Sequence, residues 1–395
     1  MKILHISFSD YIGGASRAAL RIHQSLLKNK INSNFLVAKK SSKNHKKVAQ
    51  INQNKAFYLI KIFLNKLFNF VFPNKTSILS LNLFSNNIYK LINQSNFDII
   101  HLHWINNETI SLKDLSKVKK KIIWTCHDMW PFIGAYHYSF ENNMKSINFI
   151  DKYILEQKKK LKKKNIYFIG VSKWIQNSIK KSIFKSSKTF CVNNPIDKKF
   201  WKIQNKIKYR KKLKLNKNKF YIGLGNLEVG RFNRKGIDLL KDSIKILENK
   251  KIDFEIVEFG NKEKFTIENC KIKIKSLGMI KDDRILRNIY NSVDLFVLPS
   301  KIEAFGQVAS ESILCGTPVV GFLNTGLKDI VKNRKNGLLV KSFSSIHLSK
   351  AIEFFLKKKY LTKKKVRYTI LKKFSYKTIA NNYIKIYRQI LNEKN

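Results

Sequence analysis

Glu303 and Glu311 stand eight positions apart in Glu303-Ala-Phe-Gly-Gln-Val-Ala-Ser-Glu311, a lysine-free stretch in a chain where 79 of 395 residues are Lys or Arg. Just upstream, Asp294–Leu298 is an apolar run that reads as a buried parallel strand. In open α/β sheets ligands bind outside the carboxyl ends of such strands. Residues 300–305 then form a loop that carries Glu303 at the strand's mouth. From Gly306 the pattern turns helical, closes at Cys315-Gly316, and leads into a further strand at Pro318–Phe322. Glu311 falls about five residues into that helix, roughly 7–8 Å along its axis. The backbone amides of Phe305, Gly306 and Gln307 open the helix and can donate to an anion. Carboxylate, amide cluster, carboxylate is an arrangement that suits a neutral polyol, a phosphate and a diol in a row. A sugar nucleotide has those three parts.

Other residues could join this chemistry. Arg231, Arg234 and Lys235 precede Gly236 and the apolar helical start Ile237-Asp-Leu-Leu240, so they stand at a turn rather than on an open lysine-rich surface. His127 ends the strand-like run Lys121–Cys126 and is either a site residue or a satisfied strand-end histidine. Gly13-Gly14 makes a turn after the first strand, where a missing side chain lets the backbone approach a ligand. His5, His101 and His137 read as structural, and His103 fits either role. Ser172 reads as a helix N-cap, and Asp282-Asp283 as a helix start rather than a metal site. Cys126, Cys191, Cys270 and Cys315 are far apart and form no Cys-x-x-Cys pair, so neither disulfides nor zinc are expected. Gly321-Phe-Leu-Asn-Thr-Gly326 has Leu327 where a phosphate-loop lysine would stand, so it is no such loop.

The elements that must hold these groups are short apolar runs alternating with helical periodicity. Strands are expected at Lys2–Phe8, Asp98–Leu102, Lys121–Cys126, Tyr167–Val171, Phe220–Leu224, Phe254–Phe259, Asp294–Leu298, Pro318–Phe322 and Gly337–Val340. The implied fold class is α/β, with two doubly wound parallel sheets. A boundary falls near Asn193-Asn-Pro-Ile-Asp197, giving domains 1–196 and 197–375, with a final helix at 376–395 expected to pack back on the first domain. In segment 56–72, Lys61, Asn65 and Asn69 recur every four residues as a polar stripe on a very apolar helix. That helix is either a core or flank helix of the first domain or one lying in a membrane surface.

Composition bounds the alternatives. With 44% hydrophobic residues the chain can bury two cores. Met1–Phe8 is too short an apolar run for a secretory signal, so a reducing, cytoplasmic setting is expected, with peripheral attachment to the inner face of the plasma membrane. The net charge of +53 attracts polyanions. Abundant Lys, Asn, Ile and Phe with only 15 Gly and 5 Pro is also what AT-rich codon usage produces. No interleaved aromatic and basic motif accompanies the charge, so nucleic acid is not an expected partner.

Glu303–Glu311 followed by Cys315-Gly-Thr-Pro-Val-Val320 resembles the signature of family-4 retaining glycosyltransferases of the two-Rossmann-domain type, GT-B. The Phe-Gly-Gln-Val-Ala wording resembles the colanic-acid and exopolysaccharide subgroup. Gly13–Ala19, His101-Leu-His-Trp-Ile-Asn106, Trp124-Thr-Cys-His-Asp-Met-Trp-Pro-Phe132, Val171-Ser-Lys-Trp174, Arg234-Lys-Gly236 and Asn336-Gly-Leu-Leu-Val340 match in the same order. The resemblance implies two Rossmann-like domains facing a cleft, an acceptor-side first and a donor-binding second. It implies Glu303 beside the donor sugar, Glu311 on the ribose hydroxyls, and Arg231 or Arg234 with Lys235 on the diphosphate. His127 would face the sugar, and Gly14 the diphosphate or acceptor. The implied reaction is hexosyl transfer with retention, without a metal or other cofactor. The donor is a nucleotide-sugar. The acceptor is a glycan, expected to be lipid-linked, in bacterial surface polysaccharide or lipopolysaccharide synthesis. A nucleic-acid-binding protein and a catalytically inactive relative are the competing readings.

Overall fold

A computed structural model describes the chain except for residues 42–44, 53, 74–76, 140–147, 226–232, 261–262, 324, 358–360 and 394–395. It divides into two compact units, Met1–Pro195 with Tyr376–Asn395, and Ile196–Ser375.

The first unit is built on seven parallel strands: β1 (Lys2–Ser9), β2 (Asn32–Lys39), β3 (Val48–Gln50), β4 (Ile99–Leu102), β5 (Lys121–Cys126), β6 (Ile166–Gly170) and β7 (Thr189–Cys191). Their order is β3-β2-β1-β4-β5-β6-β7. The second holds six: β8 (Tyr221–Gly225), β9 (Glu255–Phe259), β10 (Ile274–Ser276), β11 (Leu295–Leu298), β12 (Val319–Phe322) and β13 (Gly337–Val340), in the order β10-β9-β8-β11-β12-β13. Both are doubly wound, so strand order reverses beside β1 and beside β8. The crevices β1/β4 and β8/β11 are where such sheets take ligands. Both sheets are covered by helices, which is why central strands such as β11, Leu-Phe-Val-Leu, read as continuous apolar runs.

The helix Tyr376–Asn392 belongs to the first unit and packs on its sheet beside the helix Gly13–Lys28 through Ile379, Tyr383, Tyr387 and Ile390. The Tyr387 hydroxyl pairs with His101 Nδ1 at 2.6 Å, and the Tyr383 hydroxyl with Thr125 Oγ1 at 3.3 Å.

Four strands were not expected. The edge strands β3, β7 and β10 are short, and β2, next to the edge, carries the mixed sequence Asn-Ser-Asn-Phe-Leu-Val-Ala-Lys, because one face or edge of each meets solvent.

The helix Lys55–Val71 lies the other way round from a core helix. Its polar stripe faces the domain and its apolar face is exposed. Lys61 Nζ donates to the carbonyls of Phe84 and Ser85 at 3.1 and 3.2 Å. Asn69 brackets Leu79, accepting from its amide at 2.7 Å and donating to its carbonyl at 2.8 Å. Asn65 accepts from the Leu81 amide at 3.2 Å. Residues 79–85 run alongside with little strand pairing, so their peptide groups need side-chain partners, and the stripe supplies them. Phe57, Leu59, Ile60, Phe63, Leu67, Phe70 and Val71 are left exposed.

Candidate active site

In the second unit the expected site residues follow β8 and β11, the two strands at the switch point. A short 3₁₀ turn, Asn233–Lys235, carries Arg234 and Lys235. The loop after β11 is stitched to it: the Lys301 and Ile302 amides both donate to the Arg234 carbonyl, at 2.7 and 3.4 Å. Lys235 Nζ stands 4.0 Å from Glu303 Oε2, with the lysine buried and the glutamate partly exposed. Glu303 is fixed through its backbone, its amide donating to Thr325 Oγ1 at 3.2 Å and its carbonyl accepting from Gly326 at 2.8 Å. The carboxylate is thereby presented without its main chain being free to move.

Gly306, at φ +93°, caps the helix Gln307–Leu314; a Cβ there would lie 2.5 Å from Leu327 Cδ2. This helix starts where the sequence placed it, with Gln307 as its first residue and Glu311 as its fifth. Glu311 is buried, and the Tyr290 hydroxyl lies 3.3 Å from its Oε2. Burial and the neighbouring Glu311 carboxylate hold the Tyr290 phenol well above its usual range, so it stays protonated and donates. Phe305 packs edge-on against Phe374 with ring centroids 5.5 Å apart, so its side chain builds the core while its amide stands at the helix entry. Arg231 lies outside the described residues. Asp282 caps the helix Asp283–Ser292, accepting from the Arg284 amide at 2.7 Å.

Gly236 ties the site to the sheet. Its φ is +62°, and a Cβ would meet the Pro299 carbonyl oxygen at 2.2 Å. Gly236→Ala is therefore expected to cost about 2–4 kcal/mol in a urea titration. Gly13→Ala, also at positive φ but with nothing within 4 Å of the added Cβ, should cost only about 1–2 kcal/mol.

In the first unit Gly13 and Gly14 open the helix after β1, both exposed. His127 follows β5 and is buried, its Nε2 3.1 Å from His103 Nδ1. His103 Nε2 in turn meets His5 Nδ1 at 2.8 Å. Burial lowers His127 to about 4, with Asp128 opposing, and burial with neighbouring imidazoles holds His5, His101 and His103 well below the usual value, so all four are neutral near pH 7. Sequence reasoning missed His5 and His103 as partners of His127. The signal was present: β1 and β4 pair His5 with His101 in register, and period-2 spacing puts His103 on that same face.

His5, His101 and His103 bring ring nitrogens within 4.8 Å of one another, a spacing a metal could span. Five of those six nitrogens already lie in hydrogen bonds, to Tyr387, Thr125, His127 and each other, and only His5 Nε2 lacks a partner.

Asp128 accepts from Trp104 Nε1 at 2.8 Å and the Trp130 amide at 3.1 Å, and pairs with His137 Nδ1 at 2.6 Å. His137 Nε2 meets Ser80 Oγ at 2.9 Å. Serine, histidine and aspartate thus connect as in a hydrolytic triad, but Ser80 is wholly buried, so the set fastens the loop after β5 rather than attacking a substrate. Lys158, also buried, caps three carbonyls of that loop, those of Trp130, Ile133 and Gly134.

Two family models match the chain in tandem, Glycosyltransferase Family 4 over residues 12–200 and Glycosyl transferases group 1 over residues 205–372. A glycogen synthase of Thermosipho africanus (strain TCF52B) is 29% identical over 225 residues, 53% of this chain and 46% of that protein. An uncharacterized 41.2 kDa protein in the cps region of Klebsiella pneumoniae is 26% identical over 313 residues, 76% of this chain and 81% of that protein. The chain thus spans about half the length of several curated relatives it matches, such as that glycogen synthase, and more of the Klebsiella protein. Among solved structures, sucrose-phosphate synthase from Thermosynechococcus elongatus superposes with TM-score 0.70 at 15% identity, covering 99% of both chains. HepE from Anabaena, in complex with UDP and glucose, gives 0.68 at 17% identity over 98% of this chain and 99% of that one. At these identities the structural likeness establishes the fold.

Proposed function

The chain belongs to the family-4 glycosyltransferases of GT-B fold, and on that premise we propose that it transfers a hexose, with retention of configuration, from a nucleotide-sugar to a glycan acceptor in surface polysaccharide synthesis. The observation that carries this reading is the convergence of Lys235, Glu303 and the helix Gln307–Leu314 at the β8/β11 switch point. Lys235, with Arg231 or Arg234, neutralises the departing diphosphate, and the helix's amide end adds partial positive charge. Glu311, held by Tyr290, accepts from the ribose hydroxyls. Glu303 accepts from the donor sugar's hydroxyls and offsets positive charge that develops at the anomeric carbon. His127 and Gly14 are the residues the first unit would offer, His127 to a sugar and Gly14 to a diphosphate or acceptor. In retaining transfer on one face the leaving phosphate oxygen takes the acceptor's proton, so positioning and cationic stabilisation supply the catalysis and no metal is needed. The test is thermal stabilisation by a panel of nucleoside diphosphate sugars. A donor should raise the Tm of the wild type and much less that of Glu311→Gln, and a flat panel would remove the reading.

The acceptor in this proposal is lipid-linked, and the protein sits peripherally on an anionic membrane at the cytoplasmic face. No helix among the described residues is long and apolar enough to cross a membrane. The support is the outward apolar face of Lys55–Val71, with Phe63 and Phe70 64% and 84% exposed, on a chain of net charge +53. The likeness to a cps-region protein fits the same setting. Vesicles containing anionic lipid should retain the protein in flotation at low salt, and Phe63→Glu with Phe70→Glu should release it. Lys61 is unsuitable for that test, because its ammonium is a structural donor. Failure to float, with a dimer in solution, would assign the face to a second copy.

A further inference from the structure

The hydrogen-bonded row His5–His103–His127 has a consequence for what His127 can offer a ligand. A neutral imidazole carries one N–H and one lone pair. The contacts are His5 Nδ1 to His103 Nε2 at 2.8 Å and His103 Nδ1 to His127 Nε2 at 3.1 Å. Two proton arrangements satisfy both contacts. Either each ring carries its proton on Nδ1 and the row donates toward His127, or each carries it on Nε2 and the row donates toward His5. A mixed arrangement sets lone pair against lone pair, or proton against proton, at one contact.

The far end of the row decides between them. His5 is fully buried, and its Nε2 has no hydrogen-bond partner. In the second arrangement that nitrogen bears a buried N–H with no acceptor. In the first it bears only a lone pair, the less costly orphan. The neighbours of His5 are rings: His23, Phe35, His101 and His103 lie with centroids 4.7–6.1 Å away.

We propose that His5 and His103 are positioning residues that lock His127 as the Nδ1–H tautomer, so that His127 meets its ligand as a hydrogen-bond donor and not as a base. His127 Nδ1 has no partner among the described residues, and His127, 9% exposed against 0% and 1% for His5 and His103, is the end of the row nearest the surface of the unit. The group it takes is an oxygen with a free lone pair, such as a sugar hydroxyl or ring oxygen. That last step rests on the reading of His127 as sugar-facing; the tautomer lock does not.

The test is long-range ¹H–¹⁵N correlation spectroscopy of the ligand-free, histidine-labelled protein near pH 7.5, assigned with single histidine variants. His5, His103 and His127 should each show a protonated Nδ1 and an unprotonated Nε2, favoured at least about tenfold, the ratio a buried unpaired N–H imposes. His103→Phe, which keeps a ring in the stack, should move the Nε2 resonance of His127 and leave His101 in place. Protonation of His127 at Nε2, a charged ring in the row, or metal-bound nitrogens would overturn the proposal. In a separate arm, sugar-nucleotide turnover should be partly retained in His127→Asn, which keeps an N–H, and lost in His127→Asp. Equal loss in both, with the tautomers as expected, would leave the lock standing and remove the sugar contact.

Discussion

Replacing Lys235 by alanine is expected to lower donor turnover by about 10²–10³-fold, the usual effect of removing one preorganised charge from a developing anion. The nucleoside diphosphate gains its full charge only as the glycosidic bond breaks, so the loss should fall on kcat. Glu303→Ala should abolish detectable transfer, because it removes the carboxylate 4.0 Å from Lys235 that is proposed to face positive charge on the sugar. Glu311→Gln should instead raise the donor KM, since its proposed role is on the ribose and not on the reacting bond. Steady-state release of nucleoside diphosphate reads all three. Circular dichroism will show whether fold is kept, and Glu303, partly exposed and anchored through its backbone, is expected to keep it. Undiminished activity in Glu303→Ala would remove that residue from the mechanism.

The second large effect is acid lability. Burial lowers His23 and His127 to about 4 and holds His5, His101 and His103 well below 6.5. The unfolded chain protonates these rings near 6.5 while the folded chain does not. Between about pH 6.5 and 4 the unfolded state therefore binds more protons, and stability falls as pH falls. Each ring contributes a slope of up to about 1.4 kcal/mol per pH unit, so His23 and His127 alone each withdraw about 3 kcal/mol by pH 4. Glu108 works the other way. Burial raises it to about 7, so its contribution is present at low pH and lost as pH rises from 4.5 through 7. One carboxyl against five imidazoles leaves the acid loss dominant. Urea midpoints at pH 7.5, 6, 5 and 4.5 should fall steeply, and a flat profile would contradict the neutral histidine row.

Much of this was legible in the residues. The central strands announce themselves because helices cover both faces of each sheet, which leaves runs such as Leu295–Leu298 wholly apolar. The Glu303 loop and the helix to Leu314 could be read from a strand, a glycine and a periodic run, each governed by local rules. What escaped depends on contacts distant in sequence. The edge strands β3, β7 and β10 are three residues long with no apolar run longer than two residues, and β2, beside β3, begins with the polar Asn-Ser-Asn and alternates buried with part-exposed positions. The helix Lys55–Val71 reads as a core helix by hydropathy alone. Its orientation follows from the unpaired peptide groups of residues 79–85, which no periodicity reports. Period-2 spacing puts His101 and His103 on one face, but that His5 and His127 join them depends on the pairing of strands from segments 24 and more residues apart.

Whether the donor's diphosphate and ribose are held at the β8/β11 switch point is decided by a crystal structure with a bound nucleoside diphosphate. The ribose hydroxyls should lie within hydrogen-bond distance of the Glu311 carboxylate, and the phosphates beside Lys235 and the start of the helix Gln307–Leu314. Phosphates found instead at the opposite ends of the strands, among Lys206, Asp294 and Lys363, would contradict it.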